Sequence, residues 1–319
     1  MIAPVIQTNR LTRYFGNQAV AHDLNMSVPP GQVTALLGLN GAGKTTTIRI
    51  IIGLLHPTRG SCQVFGHDCR ELTPDDRMRI GYMVEGHFLY ARMKVSECAV
   101  FQRAGFSRWD DSRFDAIVRH FGITQSTRIG HLSRGQRAGV SLALVLAPDP
   151  EVLVLDDPAL GLDPVSRRAL NETLVEFAAD GQRTVLLSSH LLDDVERVAD
   201  RVMLMIDGRL QVDTTLDDFR GRVTGFVVDT AVTDTDRINA IPGLIEARRI
   251  GRHLHLAVAD SDKETTAAVE RLQATSVEPA ELPFADSVLA WLSRSRSQRS
   301  FLSQHTAGKS ARIRSFARS

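Results

Sequence analysis

No stretch of this chain stays apolar for the roughly 18–20 residues that a membrane span needs. The start, MIAPVIQTNR, has no basic segment leading into an apolar core, so no secretory signal is expected. The reading is a soluble, cytoplasmic protein. Cysteine is sparse. Cys62, Cys69 and Cys98 fall at no metal-ligand spacing, which argues against a zinc module and reads as free thiols in a reducing compartment. No extended heptad run and no second phosphate-loop motif occur, so a coiled coil and a tandem repeat are not expected.

The 319 residues are enough for one large or two modest domains, and 43% hydrophobic with 24% charged residues are ordinary globular values. A net charge of +1 conceals a division. Arg294, Arg296, Arg299, Lys309, Arg312, Arg314 and Arg318 close the chain with no acid among them, leaving the remainder mildly acidic. Residues 293–319 are polar, basic and low in complexity, and disorder is expected there.

The central stretch is VTALLGLNGAGKTTTIRI. Val33–Leu37 reads as a buried strand. Gly38-Leu39-Asn40-Gly41-Ala42-Gly43-Lys44-Thr45 fits G-x-x-x-x-G-K-[ST] at every fixed position, and a helix follows with Ile48, Ile51, Ile52 and Leu55 on one side. A helix start carries unsatisfied N–H groups and about half a positive charge. Glycines let the backbone curl so that successive N–H groups converge on one phosphate. Lys44 adds a cation for the β and γ oxygens, and Thr45 offers a hydroxyl to Mg²⁺.

Taken in order, residues 5–12 and 19–28 read as strands around a turn at Tyr14-Phe15-Gly16-Asn17. Strands are expected at 61–65 and 79–84, the latter ending at Glu85. From 95 to 147 the pattern is mostly helical, with Ser107 and Asp110 as helix starts and Phe114, Ile117, Val118 and Phe121 on one face. Residues 152–155 form an apolar run ending in Asp156-Asp157. Asp163-Pro164 opens a helix. Residues 184–187 form another buried strand, ending in Ser188-Ser189-His190. Asp207-Gly208 reads as a hairpin turn between 202–206 and 209–212. Apolar strands alternating with helices argue for a parallel sheet covered on both faces, whose ligands sit at the strands' carboxyl ends. Lys44, Asp156 and His190 all fall there. After residue 215 the texture changes to that of a small α+β domain over 216–292.

The phosphate loop, the LSRGQ pentapeptide at residues 132–136, the VLVLDDP run and the following SSH resemble the nucleotide-binding cassette of ABC transporters, in matching order across residues 5–215. The whole resembles the single-cassette ATPases of bacterial ABC-2-type export systems. The resemblance implies an α/β P-loop NTPase: a RecA-like parallel sheet with an antiparallel β subdomain and an α-helical subdomain at about 90–147, plus the C-terminal domain. It implies an ATPase with ATP and Mg²⁺. Phe15 would stack on adenine, with Tyr14 the alternative, and Thr46 would add to the phosphate contacts. Asp156 would hold Mg²⁺ with Thr45 and Glu85. His190 would contact the γ-phosphate. Ser133, Gly135 and Gln136 would cap the γ-phosphate held by a second cassette, and Asp163 would lie in the loop that touches that subunit. The implied partners are an identical second cassette and a separate integral-membrane permease, which places the chain on the inner face of the membrane.

Three positions depart from the family pattern. Asp157 replaces the usual Glu of the general base and is one methylene shorter. A misplacement of about an ångström can cost about a hundredfold, so slow hydrolysis is expected unless the backbone compensates. Glu85 stands where Gln is more common, adding charge beside Mg²⁺ and a share of the base role. Arg134 replaces the first glycine of the signature, read as tolerated variation. The alternative reading is a regulatory module with little hydrolysis. No N-K-x-D motif supports a GTPase, and nucleic acid is not the expected partner. The basic tail is read first as a solvated end, with electrostatic contact to anionic lipid or RNA as the second reading.

Overall fold

The computed structural model describes residues 3–229, 235–272, 276–280 and 282–293. The chain divides into two compact units after Phe219.

The first unit begins with β1 (Ile6–Phe15), β2 (Gln18–Leu24) and β3 (Ser27–Val28), then β4 (Val33–Leu37) and helix α1 (Lys44–Ile51). β5 (Arg59–Val64) and β6 (His67–Asp68) complete an antiparallel sheet in the order β2-β1-β5-β6, with β3 on β1. Next come α2 (Pro74–Met78), β7 (Ile80–Met83), α3 (Val95–Arg103), α4 (Asp111–His120) and α5 (Arg134–Leu146). Strands and helices then alternate: β8 (Val152–Asp156), α6 (Pro164–Ala178), β9 (Thr184–Ser189), α7 (Leu192–Val198), β10 (Arg201–Ile206) and β11 (Arg209–Thr215).

The main sheet runs β11-β10-β4-β9-β8-β7. Its five inner-to-edge strands from β10 to β7 are parallel, and only the β10–β11 hairpin is antiparallel. Every residue of β4, β8 and β9 is buried, which is why these strands read as unbroken apolar runs. Their adjacency sets three carboxyl ends side by side. The β10–β11 turn has φ of 47° at Asp207 and 76° at Gly208, the left-handed pair that a two-residue hairpin needs.

Several expectations shift. β1 continues through Tyr14 and Phe15, because β2 pairs with it up to Phe15 opposite Gln18; the turn is Gly16-Asn17 alone. β5 starts at Arg59, not residue 61. Ser107 opens no helix: its hydroxyl faces the Met78 sulfur at 3.7 Å. α3 begins at Val95, where Glu97 accepts the Lys94 amide at 2.8 Å. Asp110 does cap α4, accepting the Arg113 amide at 3.0 Å. α2 adds a helix beyond those the periodicity predicts, opened by a Thr73–Asp76 capping box that is its local signal.

Helix α8 (Leu216–Arg222) leads into the second unit: β12 (Val223–Asp229), α9 (Thr235–Asn239), β13 (Leu244–Ile250), β14 (His253–Ala259), α10 (Lys263–Glu270), β15 (Ser276–Ala280) and α11 (Phe284–Ser293). The four strands form an antiparallel sheet in the order β13-β14-β12-β15. From β12 to β15 the element order is β-α-β-β-α-β, the ferredoxin-like arrangement. Phe226, Val228, Leu254, Leu256 and Val258 of the sheet pack with Ile238 and Val269 of the helices. No helix among the described residues is long and apolar enough to cross a membrane. Residues 294–319, with the expected disorder and lipid contact, lie outside the described residues.

Candidate nucleotide site

The sequence places a glycine at position 43 because the backbone there is both left-handed and crowded. Gly43 has φ of 102°, and a side chain would run into the Val20 carbonyl of β2 and the Met205 methyl group of β10. Gly43 is also the N-cap of α1, and no side chain caps that helix. The first-turn N–H groups are therefore left to face the cavity beyond the loop.

That cavity holds about 300 Å³. Asn40, Gly41, Gly43, Lys44, Thr45 and Thr46 line it, together with Glu85, Asp156, Asp157, Ser188 and His190. Gly38, Leu39 and Ala42, expected at the nucleotide, are not among the residues that line it. The Lys44 ammonium donates to the carbonyls of Gly38 at 2.8 Å and Leu39 at 3.2 Å. Burial holds its pKa below the usual lysine value, with Asp157, Asp156 and Glu85 working against that shift.

Asp156 is the pivot. The hydroxyls of Thr45 and Ser188 donate to its Oδ1 at 3.0 and 2.9 Å. Its Oδ2 is buried and has no partner. A carboxylate oxygen left bare at 1% exposure is costly unless a cation meets it. The Ser188 hydroxyl also accepts the Asp157 amide at 2.9 Å, fixing the backbone after β8. Asp157 then turns left-handed, with φ of 49°, and its carboxylate meets His190 Nδ1 at 2.7 and 2.9 Å. Burial pushes the Asp157 carboxyl up, opposed by His190 and Lys44. Glu85 stands exposed on the wall, two residues beyond β7.

The remaining predicted residues lie off this wall. Phe15 is 48% exposed and sits under the Arg13 guanidinium at 4.8 Å. Ser133 caps α5: its hydroxyl accepts the Gln136 amide at 3.1 Å, and the Gln136 side chain accepts the Ser133 amide at 3.1 Å. Gly135 packs against Ser166 and Asp163. Asp163 caps α6, accepting from the Val165 and Ser166 amides at 3.0 and 2.9 Å and from the Ser166 hydroxyl at 2.6 Å. Arg134 lies over Gly161, where φ of 71° and a missing side chain leave it room. Within one chain, the LSRGQ segment and Asp163 thus contribute nothing to the phosphate-loop cavity.

Sequence reasoning missed one wall residue and one buried histidine nearby in the chain. Val20 completes the wall, and no motif marks it; Leu160, which opens the Leu160–Asp163 loop that the family resemblance sets at the second subunit, lines it too. His87 is 2% exposed with φ of 52°, and neither ring nitrogen has a hydrogen-bond partner. Burial holds its pKa down, the nearby Pro158 carbonyl works against this, and the charges of Arg134 and Arg137 add to the lowering. A second cavity, of about 520 Å³, lies between α4 and α6. Its charges are mixed, with Arg113 and Arg183 both engaged by Asp149, so it offers no single-sign ligand pole.

The family model for ABC transporters matches residues 21–160. The bacitracin transport ATP-binding protein BcrA of Bacillus licheniformis is 30% identical over 223 residues, covering 69% of this chain and 73% of that protein. The sulfate/thiosulfate import ATP-binding protein CysA of Yersinia pseudotuberculosis is 32% identical over 260 residues, covering 78% and 70%. A solved ATP-binding subunit of an ABC transporter superposes with a TM-score of 0.62 at 30% identity, over 68% of this chain and 92% of that one.

Proposed function

This chain belongs to the ATP-binding proteins of ABC transporters, and on that premise we propose that it is a Mg²⁺-dependent ATPase subunit that dimerises on ATP and drives a separate membrane permease, as an exporter. The observation that carries the nucleotide part is the Thr45–Asp156 pair with its bare Asp156 Oδ2, next to an uncapped helix start. This donor set fits magnesium: a hydroxyl and one or two carboxylates, the oxygen ligands a hard divalent cation takes. Thr45 and Asp156 would hold the ion, with Glu85 at the rim. When bound, the ion would supply positive charge against that developing on the triphosphate.

The chain's own groups do the rest. The amides at the start of α1 and the Lys44 ammonium bind phosphate oxygens. Lys44 now satisfies itself on loop carbonyls, and a phosphate offers it a better partner. Asp157 orients the attacking water and takes up its proton, and His190 holds the Asp157 carboxylate in place while facing the γ-phosphate position. Hydrolysis is slow, because the Asp157 carboxylate is short and already bound to His190.

A second copy completes the site. Ser133, Gly135, Gln136 and Asp163 lie off the cavity wall of their own chain, which suits residues that act on a partner's nucleotide. The permease partner is supported by exposed aromatics beside Glu85: Phe88 at 82%, Tyr90 at 68% and Phe101 at 65% exposure, with Tyr90 and Phe101 edge to face at 6.3 Å. Such a partner would hold the chain on the inner face of the membrane. The export direction follows the likeness to the Nod factor export ATP-binding protein I of Burkholderia orbicola, although CysA is an import protein. The test is equilibrium ATP binding with magnesium, followed by sedimentation with hydrolysis blocked by Asp157→Asn. Binding with dimer formation supports the reading. Binding without a dimer favours the regulatory alternative, and no binding overturns both.

A further inference from the structure

Two of the three cysteines stand opposite each other. β5 and β6 pair antiparallel with Gln63 against Asp68 and Val64 against His67. One step further from the turn, that register sets Cys62 against Cys69, and the Cys69 amide donates to the Cys62 carbonyl at 2.9 Å. Directly opposed residues have Cα atoms about 4.5–5.5 Å apart, inside the roughly 4.4–6.8 Å that a disulfide spans. Both side chains point into the core, at 1% and 0% exposure, in one cluster with Ile51 and Ile52 at the end of the phosphate-loop helix. The thiols act on each other: contact with Cys69 pushes the Cys62 thiol up, and contact with Cys62 draws the Cys69 thiol down. Both are free thiols, as is Cys98, which sits apart on α3.

We propose that Cys62 and Cys69 form a thiol-modification site, a dithiol that a peroxide closes into a cross-strand disulfide and a dithiol reductant reopens. The Cys69 sulfur attacks one peroxide oxygen and the O–O bond breaks. The other oxygen leaves as hydroxide and takes up the displaced proton to become water, and Cys69 becomes a sulfenic acid. The Cys62 sulfur then attacks the Cys69 sulfur. The S–O bond breaks, the S–S bond forms, and the Cys62 proton leaves with the second water. Two thiols lose one electron each, and one peroxide gains two. Access comes by local opening: β6 is two residues long at the edge of its sheet, and such edges open at low free-energy cost. The site lies close to the nucleotide machinery. The Cys69 carbonyl rests against Gly53, directly behind α1, the helix that begins with Lys44. Closing the disulfide pins the segment that backs that helix.

The test uses the full chain and hydrogen peroxide, and it reads mass alone, so it is independent of ATP binding. Tryptic peptide 60–70, bounded by Arg59 and Arg70, contains both cysteines and excludes Cys98. The expected result is a peptide lighter by two hydrogens, whose halves stay joined after cleavage at Phe65 and separate with dithiothreitol. Cys62→Ser should instead leave Cys69 carrying an added oxygen. Oxygen added to either cysteine of the unsubstituted chain without loss of hydrogen would overturn the proposal. So would a peptide left unchanged by peroxide, or one cross-linked to Cys98.

Discussion

Two helices of the first unit start at motif loops, and they start in opposite ways. α1 begins at Gly43 with no side-chain cap, and its first turn faces a cavity lined by Lys44, Thr45 and Asp156. α5 begins at Ser133 with a complete capping box, its serine and Gln136 bonded to each other's backbones. An uncapped start leaves donors for a ligand, whereas a capped one has satisfied part of its own demand. The same contrast divides the carboxylates. Asp156 keeps one oxygen bare at the α1 site, while Asp163 accepts three hydrogen bonds at the start of α6. The α1 start is built for its ligand at the expense of its own stability. The α5 start is stable by itself, and any ligand there is additional.

The largest expected effect follows from the first half of that contrast. Lys44→Ala should lower ATP hydrolysis by about a hundredfold to a thousandfold, the usual loss on removing one preorganised charge donor. Its thermal stability should hold or rise, because a buried, desolvated cation disappears. Phosphate release and melting curves on the same preparation check both. A variant that loses stability in step with activity would break the contrast by making Lys44 a structural residue.

Next in size is Asp157→Glu. The longer side chain reaches past the His190 contact, so turnover should rise by about tenfold to a hundredfold. A slower variant would mean that the left-handed backbone at Asp157 already compensates for the missing methylene, and that glutamate overshoots.

Ser133→Ala probes the capped helix and should show two modest losses together. Stability should fall by about 1 kcal/mol as the cap disappears. ATP-driven dimerisation, followed by sedimentation, should weaken about tenfold if the hydroxyl also meets a charged oxygen. Loss of stability alone would sharpen the comparison in another direction, leaving Ser133 only a cap.

What could be read in the sequence follows the same line. β4, β8 and β9 were legible because strands buried on both faces are continuous apolar runs, and the residues that end them fall at one edge by topology. The Asp207-Gly208 turn was legible because its backbone demands such residues. The phosphate loop was legible because its fixed glycines and lysine each answer a geometric need. Ser107 misled because a serine before a helical pattern resembles a cap, and only the competing Asp110 decides the start. The role of Ser188 as a clasp on both Asp156 and the Asp157 amide depends on β8 and β9 lying side by side, which no local spacing reveals. His87 left no signal at all, since its burial comes from the loop after β7 folding under the Pro158 turn.

That histidine gives the smallest effect and the one most particular to this chain. Its imidazole is buried without hydrogen bonds, close to Arg134 and Arg137, and is held neutral with its pKa below the ordinary value of 6.5. The unfolded chain therefore binds a proton as pH falls through about 6.5 while the folded chain does not. Stability tied to this group is fully present above that pH and is lost as pH falls towards the lowered folded pKa, with a slope of at most about 1.4 kcal/mol per pH unit. His87→Phe removes the titration and should flatten denaturant-derived stability between pH 7 and the acid limb, while the other histidines keep their own contributions. An unchanged slope would mean that the ring already finds a partner for its proton in the folded state, and that the loop after β7 is less tightly closed than its burial indicates.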